Sequence, residues 1–368
     1  MIIILILILS IHNRVFATDE IIASELNTLN LSSFIKEGEK FSKDTFEDLD
    51  VKKLLSSAIQ GRIDNKKIYK NILKIFGEEV LNSAKLLATV LVIILTHSVL
   101  KGITESLGNE STSKVAYFVQ YILIVSLVMS NFSNIIAIVE KSITNMVSFL
   151  NILVPLLISL IISTGAMVSA GILQPLLLFA IVLIGNTINI IIIPIIVISI
   201  VMGIISNISD KVQISKISKF MQSTTLWLLG IITTVFVSAL SLEGTLGGSV
   251  DGVTLKGIKA ATSGLIPVVG KTLGDSISTV LGCTNVIKNA LGVVGIIVII
   301  GICAFPIIKL TVLTLLYSFT AAIAQPIADK GIVKVLEEVA RRIQNDTWNN
   351  VFYSNSFYNR NCNYIKNI

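Results

Sequence analysis

Apolar residues run through this chain in blocks about as long as membrane-crossing helices, separated by short polar breaks. An Ile/Leu block fills residues 1–11, and Val15-Phe16-Ala17 stands just before an abrupt polar shift. That order predicts a signal peptide or N-terminal anchor over residues 1–17, with Arg14 lying after the apolar block rather than before it. Residues 18–83 are the one sizeable polar region. Within it Leu54, Leu55, Ala58 and Ile59, and then Ile68, Ile72, Ile75, Phe76 and Val80, recur at helical spacing. They predict a small exported region of amphipathic helices, broken at residues 61–65.

About six transmembrane helices are then predicted across residues 84–242. The first covers residues 84–100, bracketed by Lys85 and Lys101, the second 115–139 and the third 146–162. Residues 168–207 are apolar for about twice a bilayer thickness at ~1.5 Å rise per residue, which asks for two spans or a tight hairpin. Gly185-Asn186-Thr187 is the expected turn, with Pro194 a kink beyond it. The sixth span covers residues 225–242. Before it, Lys211, Lys216 and Lys219 interleave with Val212, Ile217, Phe220 and Met221, as in a basic helix on the cytoplasmic surface. With the N-terminal region outside, counting spans also puts that connector inside. Residues 291–325 form one more apolar block, too long for a single crossing. Pro306 and Lys309 at its middle predict a helical hairpin, the alternative being one long tilted helix with a snorkelling lysine.

Composition sharpens the class. Of 368 residues 53% are hydrophobic and 14% charged, against ~25% charged in soluble domains. The protein is therefore read as an all-α, polytopic membrane protein in contact with lipid. Apolar runs near 20 residues exclude the ~10-residue alternating strands of a membrane barrel. The net charge of +6 forms no basic stripe with interleaved aromatics, so no nucleic-acid partner is indicated. Cys283, Cys303 and Cys362 have no metal-ligand spacing.

Between the sixth span and the last apolar block lies a glycine-rich stretch. Residues 241–295 hold eleven of the chain's 23 glycines. Irregular backbone at membrane depth survives only where protein or a water-filled cavity surrounds it, and glycine lets helices approach closely. Residues 243–290 are thus predicted to be a re-entrant or interfacial segment on the extracytoplasmic side. Gly244, Gly248, Asp251, Gly252, Gly264, Pro267, Gly270, Gly274 and Asp275 are its candidate structural or pore-forming residues.

Enzymatic readings fail on spacing. Gly270-Lys271-Thr272 resembles the end of a phosphate-binding loop, but five residues rather than four separate Gly264 from Gly270, and no strand precedes it. Asp275 has no second aspartate for a proton-sharing pair within one span, and nothing pairs Asp251 with it. His97 is read as bonding a neighbouring helix, and Gln120, Gln174, Asn186 and Asn189 likewise. No catalytic group, cofactor or metal site is expected.

The run SLEGTLGGSVDGVTLKGIKAATSGLIPVVGKTLGDSISTVLG resembles the hallmark segment of the stage III sporulation protein AE family. The proline-containing span VPLLISLIISTGAMVSAGILQPLLLF and the later AFPIIKL agree with it. The resemblance covers roughly residues 20–339. It implies a polytopic membrane component of a secretion-like complex in the mother-cell membrane surrounding the forespore. Its implied partners are a cytoplasmic ATPase, ring-forming proteins and a forespore protein, together forming a channel that sustains the spore. The rival class is an autonomous secondary transporter, whose broken helices would suit the Gly/Pro interruptions. Residues 326–368 are read as a polar C-terminal tail. Asn345, Asn349, Asn350, Asn355, Asn359, Asn361, Asn363 and Asn367 crowd its end, which fits either a native polar terminus or out-of-frame translation replacing a further span.

Overall fold

The structure, a computed structural model, describes residues 31–46, 49–62, 65–106, 110–206, 214, 216–235, 270–341 and 343. Every regular element among them is a helix. In chain order these are α1 (Ser32–Ser42), α2 (Val51–Ile59), α3 (Asn65–Ser106), α4 (Glu110–Ser163) and α5 (Met167–Thr187). A π-helical turn, Ile188–Ile192, leads into α6 (Ile193–Ile205). Then come α7 (216–235), α8 (Gly270–Ala324) and α9 (330–341). Four helical stretches among the described residues are long and apolar enough to cross a membrane: Ile68–Ile103, Lys114–Ser163, Met167–Ile205 and Val280–Ala324.

The chain divides into two units, described here in turn. The first comprises Met1–Tyr69, Ser142–Thr187 and Ile231–Cys303. Its core joins the apolar stripes of α1 and α2 to those of α4 and α8: Phe34, Val51 and Leu55 bury against Phe149, Leu291 and Val298. Phe34 and Phe149 meet with ring centroids 5.5 Å apart. Glycine admits the close approach at Gly301 of α8, where an added Cβ would lie 2.8 Å from both Ser42 Cβ and Phe46 Cδ2.

Helix ends in this unit follow from local chemistry. At the start of α2 the Asp50 carboxylate accepts a 2.8 Å hydrogen bond from the Lys53 amide, and Glu39 of α1 accepts from the Val51 amide at 3.1 Å. Two of the four amides orphaned at a helix start are thereby satisfied. At the other end Gly61 takes φ 66°. Its amide donates to Ala58 O and that of Arg62 to Ser57 O, a glycine-closed C-terminus. The same pair of bonds closes α4, where Gly165 (φ 87°) donates to Ile162 O and Ala166 to Ile161 O. The chain then reverses, and α5 packs back through Ala170 and Ile181 onto Val154 and Ile158.

The Lys53 amide is the main reason the Asp50 carboxyl is held below its ordinary value of 3.8, with the Lys53 side chain adding to it. A lowered folded-state value means the cap contributes fully above the unfolded-state pKa and is lost as pH falls through the folded one. The protection factors of residues 51–59, which correct exchange for its intrinsic pH dependence, should therefore fall on acidification below about pH 4. Asp50→Asn, which can still cap, should remove Asp50's part of that acid dependence.

The second unit comprises Lys70–Lys141, Ile188–Gly230 and Ala304–Ile368. Leu87, Val90 and Ile94 of α3 and Tyr121, Ile124, Val128, Phe132 and Ile135 of α4 recur every three or four residues and are buried. They share one core with Ile200 and Ile204 of α6, Leu313, Tyr317 and Ala321 of α8, and Ile332, Leu336 and Val339 of α9. The opposite faces are apolar as well: Val92, Leu95, Val115, Ile122 and Phe319 are exposed. Helices apolar all round are those of a membrane protein.

Several expected breaks are absent. Where a hairpin was expected over residues 291–325, α8 runs unbroken through Pro306 and Lys309. A proline removes one backbone hydrogen bond and costs ~3 kcal/mol in a helix interior. Here Ile302, Ala304, Ile308 and Val312 on either side are all buried, so burial holds the helix together across it. Residues 140–145, between the second and third expected spans, are helical within α4. At Gly185-Asn186-Thr187 the chain does not turn but passes into the π-helical turn and on into α6. Part of the expected polar tail is α9, whose Ile332, Val335, Leu336, Val339 and Ala340 are buried. Residues 1–30 and 344–368 lie outside the described residues.

Candidate functional site: charge pairs among apolar helices

The second unit gathers the chemistry. α3 carries Glu79 and Ser83, then His97 and Lys101, each pair four residues apart and so on one helical face. Glu79 is buried. Its Oε1 accepts from Ser83 Oγ at 2.9 Å and lies 3.2 Å from Lys309 Nζ of α8. The Lys309 ammonium also lies 5.7 Å from the centre of the Phe305 ring. A carboxylate taken out of water costs several kcal/mol unless paired and hydrogen-bonded, and Lys309 and Ser83 supply both.

The second cluster lies farther along α3. His97, 6% exposed, places Nε2 3.2 Å from Asp329 Oδ2, while Lys101 is ion-paired with Asp329 Oδ1. Asp329 sits immediately before α9, and its carbonyl accepts from the amides of Ile332 at 3.0 Å and Val333 at 3.3 Å. A carboxylate at a helix start is favoured by the exposed amides and the helix dipole. Tyr117 of α4 presents its ring edge-on to His97, with centroids 6.4 Å apart. The Asp329 carboxylate thus bridges the His97 imidazole and the Lys101 ammonium through its two oxygens.

Neutral groups complete the helix contacts. Tyr121 Oη donates to Ile204 O at 3.0 Å, and Asn131 Nδ2 to Tyr317 Oη at 3.2 Å. Ser199 Oγ donates to Ser218 O at 3.0 Å, and Ser218 Oγ returns to Ser199 O at 2.6 Å. Gln120 Nε2 donates to Ile93 O at 3.5 Å, leaving its buried Oε1 without a partner among the described residues. These are bonds between helices, the role expected of His97 and Gln120. Asn189 Oδ1 is buried without a partner among the described residues, and Asn186 is exposed. Among the described residues no group of three or more His, Cys, Asp or Glu is placed to hold a metal ion.

Of the glycine-rich candidates, Gly244, Gly248, Asp251, Gly252, Gly264 and Pro267 lie outside the described residues. Gly270, Gly274 and Asp275 fall in the first turns of α8, where the backbone is helical. Sequence reasoning missed Glu79 and Asp329. The one signal for Asp329 is its place just before the Ile332, Val335, Leu336, Val339 stripe, the position of a helix cap.

An all-α chain with four helices among its described residues able to cross a membrane, joined by partly buried ion pairs and interhelical hydrogen bonds, is a polytopic membrane protein. The chain belongs to the stage III sporulation protein AE family, whose model matches residues 49–345. It is 30% identical over 265 residues to the stage III sporulation protein AE of Bacillus subtilis (strain 168). That alignment covers 72% of this chain and 66% of the relative, so the chain spans slightly less than two thirds of the relative's length. Membership supports a role in sporulation. No solved structure matches the chain.

Proposed function

We propose that this protein is a non-enzymatic, membrane-embedded component of a secretion-like channel complex between mother cell and forespore, set in the mother-cell membrane around the forespore. The observation that carries the reading is the family match over residues 49–345 on a chain with four helices among its described residues long and apolar enough to cross a membrane. The partners are lipid and other stage III sporulation proteins, among them an ATPase and ring-forming proteins. The segment 243–290, with Gly244, Gly248, Asp251, Gly252, Gly264, Pro267, Gly270, Gly274 and Asp275, serves as the close-packed or pore-forming part. The charge pairs hold helices together, since Glu79 and Asp329 are each bound by side chains of this same chain.

Affinity purification of the tagged full chain from sporulating cells tests this. Recovery of the ATPase and ring-forming proteins is the expected result. Recovery of the chain alone, with solute uptake by the purified protein in liposomes, would overturn it in favour of a secondary transporter.

A further inference from the structure

We propose that the two charge clusters of the second unit mark the two surfaces of the bilayer, and that the charge-poor band between them is the face this unit presents to lipid hydrocarbon. The inference rests on spacing and burial, and holds whatever the complex transports.

α3 and α8 are joined twice. Glu79 meets Lys309; 22 residues farther along α3, Lys101 meets Asp329, which stands 20 residues beyond Lys309. Within this unit the two helices thus run in the same direction, joined near both ends. At ~1.5 Å per residue the two joints on α3 stand about 33 Å apart, or about 27 Å if measured to His97, against a hydrocarbon core of ~30 Å.

Between the joints charge almost vanishes. α3 carries only Lys85, which is exposed and near the Glu79 end, where a long stem lets its ammonium reach the surface. α8 carries none from residue 310 to 324, and α4 none from 115 to 139. The outward side chains of the band are large and apolar. Val92, Leu95, Phe118, Ile122, Leu315 and Phe319 are each about half or more exposed, a cost in water that disappears in lipid.

The band also relocates Lys309. At the centre of a long apolar block it reads as a mid-membrane charge, which would be expensive. Paired with Glu79, it lies level with the polar end of α3. Residues 310–328 then make this crossing, α8 supplying 310–324 (about 22 Å at ~1.5 Å per residue) and residues 325–328 the remainder, and Asp329 emerges at the far surface beside Lys101.

Single cysteines in an otherwise cysteine-free full-length chain test the assignment, using sealed vesicles and a membrane-impermeant maleimide. Gly77 and Gly102 suit the purpose because an added Cβ at either meets nothing within 4 Å. Gly77→Cys and Gly102→Cys should each be labelled, from opposite sides of the membrane. Leu95→Cys and Phe319→Cys should lose labelling entirely until the membrane is dissolved in denaturant. Labelling of the latter two in intact vesicles would overturn the proposal, as would labelling of Gly77→Cys and Gly102→Cys from one side or failure of either to label. A second measurement leaves the belt unsubstituted. Trp227, exposed on α7 eight residues beyond Lys219, should be quenched by brominated acyl chains in a Trp348→Phe chain.

Discussion

Lys309→Ala is expected to destabilise the protein by about 3–5 kcal/mol, the usual penalty for leaving one member of a buried ion pair unpaired. The carboxylate of Glu79 would stay buried with only Ser83 to bond it, and the loss of Coulomb attraction would not return its hydration. Removing both charges should be far milder. Glu79→Leu with Lys309→Leu replaces two desolvated ions by apolar groups, a change often neutral or stabilising. Unfolding of the purified protein in mixed detergent and denaturant reads the difference. If the double variant were no more stable than Lys309→Ala, the two groups would not be energetically coupled.

Gly301→Leu carries the second large effect. Its Cβ would come within 2.8 Å of Ser42 and Phe46, and Phe46 is itself fully enclosed. Overpacking a filled core costs about 1–3 kcal/mol, occasionally more, and the three remaining leucine carbons have no space to enter. The expected result is release of α1 from α8, seen as new protease cleavage in residues 43–50. Gly292→Ala on the same helix is the control. Nothing lies within 4 Å of its added Cβ, so helix propensity alone decides, and stability should hold or rise by up to ~1 kcal/mol. Equal protease sensitivity in the two variants would refute the packing argument.

Helix class and apolar blocks were legible because both are local: a run of ~20 apolar residues has few options in any fold. The helix end at Gly61 was legible for the same reason, since it depends on one residue's conformational freedom. Continuity through Pro306 was not. Its penalty is local, whereas the cores that take up Ile302 and Leu313 on either side of it are built by residues far away in the chain. The same asymmetry governs the site. His97 could be read as a hydrogen-bonding residue from its apolar surroundings, yet its partner Asp329 stands 232 residues later. Glu79 and Lys309 are as distant, and periodicity carries no information about which helices meet. α9 was hidden differently: its stripe was present, but the asparagine-rich residues after it set the tone of the whole terminus.

The left-handed glycines at the ends of α2 and α4 give these helix ends a chirality of their own. An L-alanine at Gly61 or Gly165 would place its methyl against the neighbouring carbonyl, a penalty of about 1–2 kcal/mol. D-alanine meets the same backbone as its mirror image and fits without strain. By narrowing the unfolded chain's choices it would stabilise the turn by roughly 0.4–1 kcal/mol. A segment rebuilt from residues of opposite hand at just these two positions would therefore fold more firmly than the natural one.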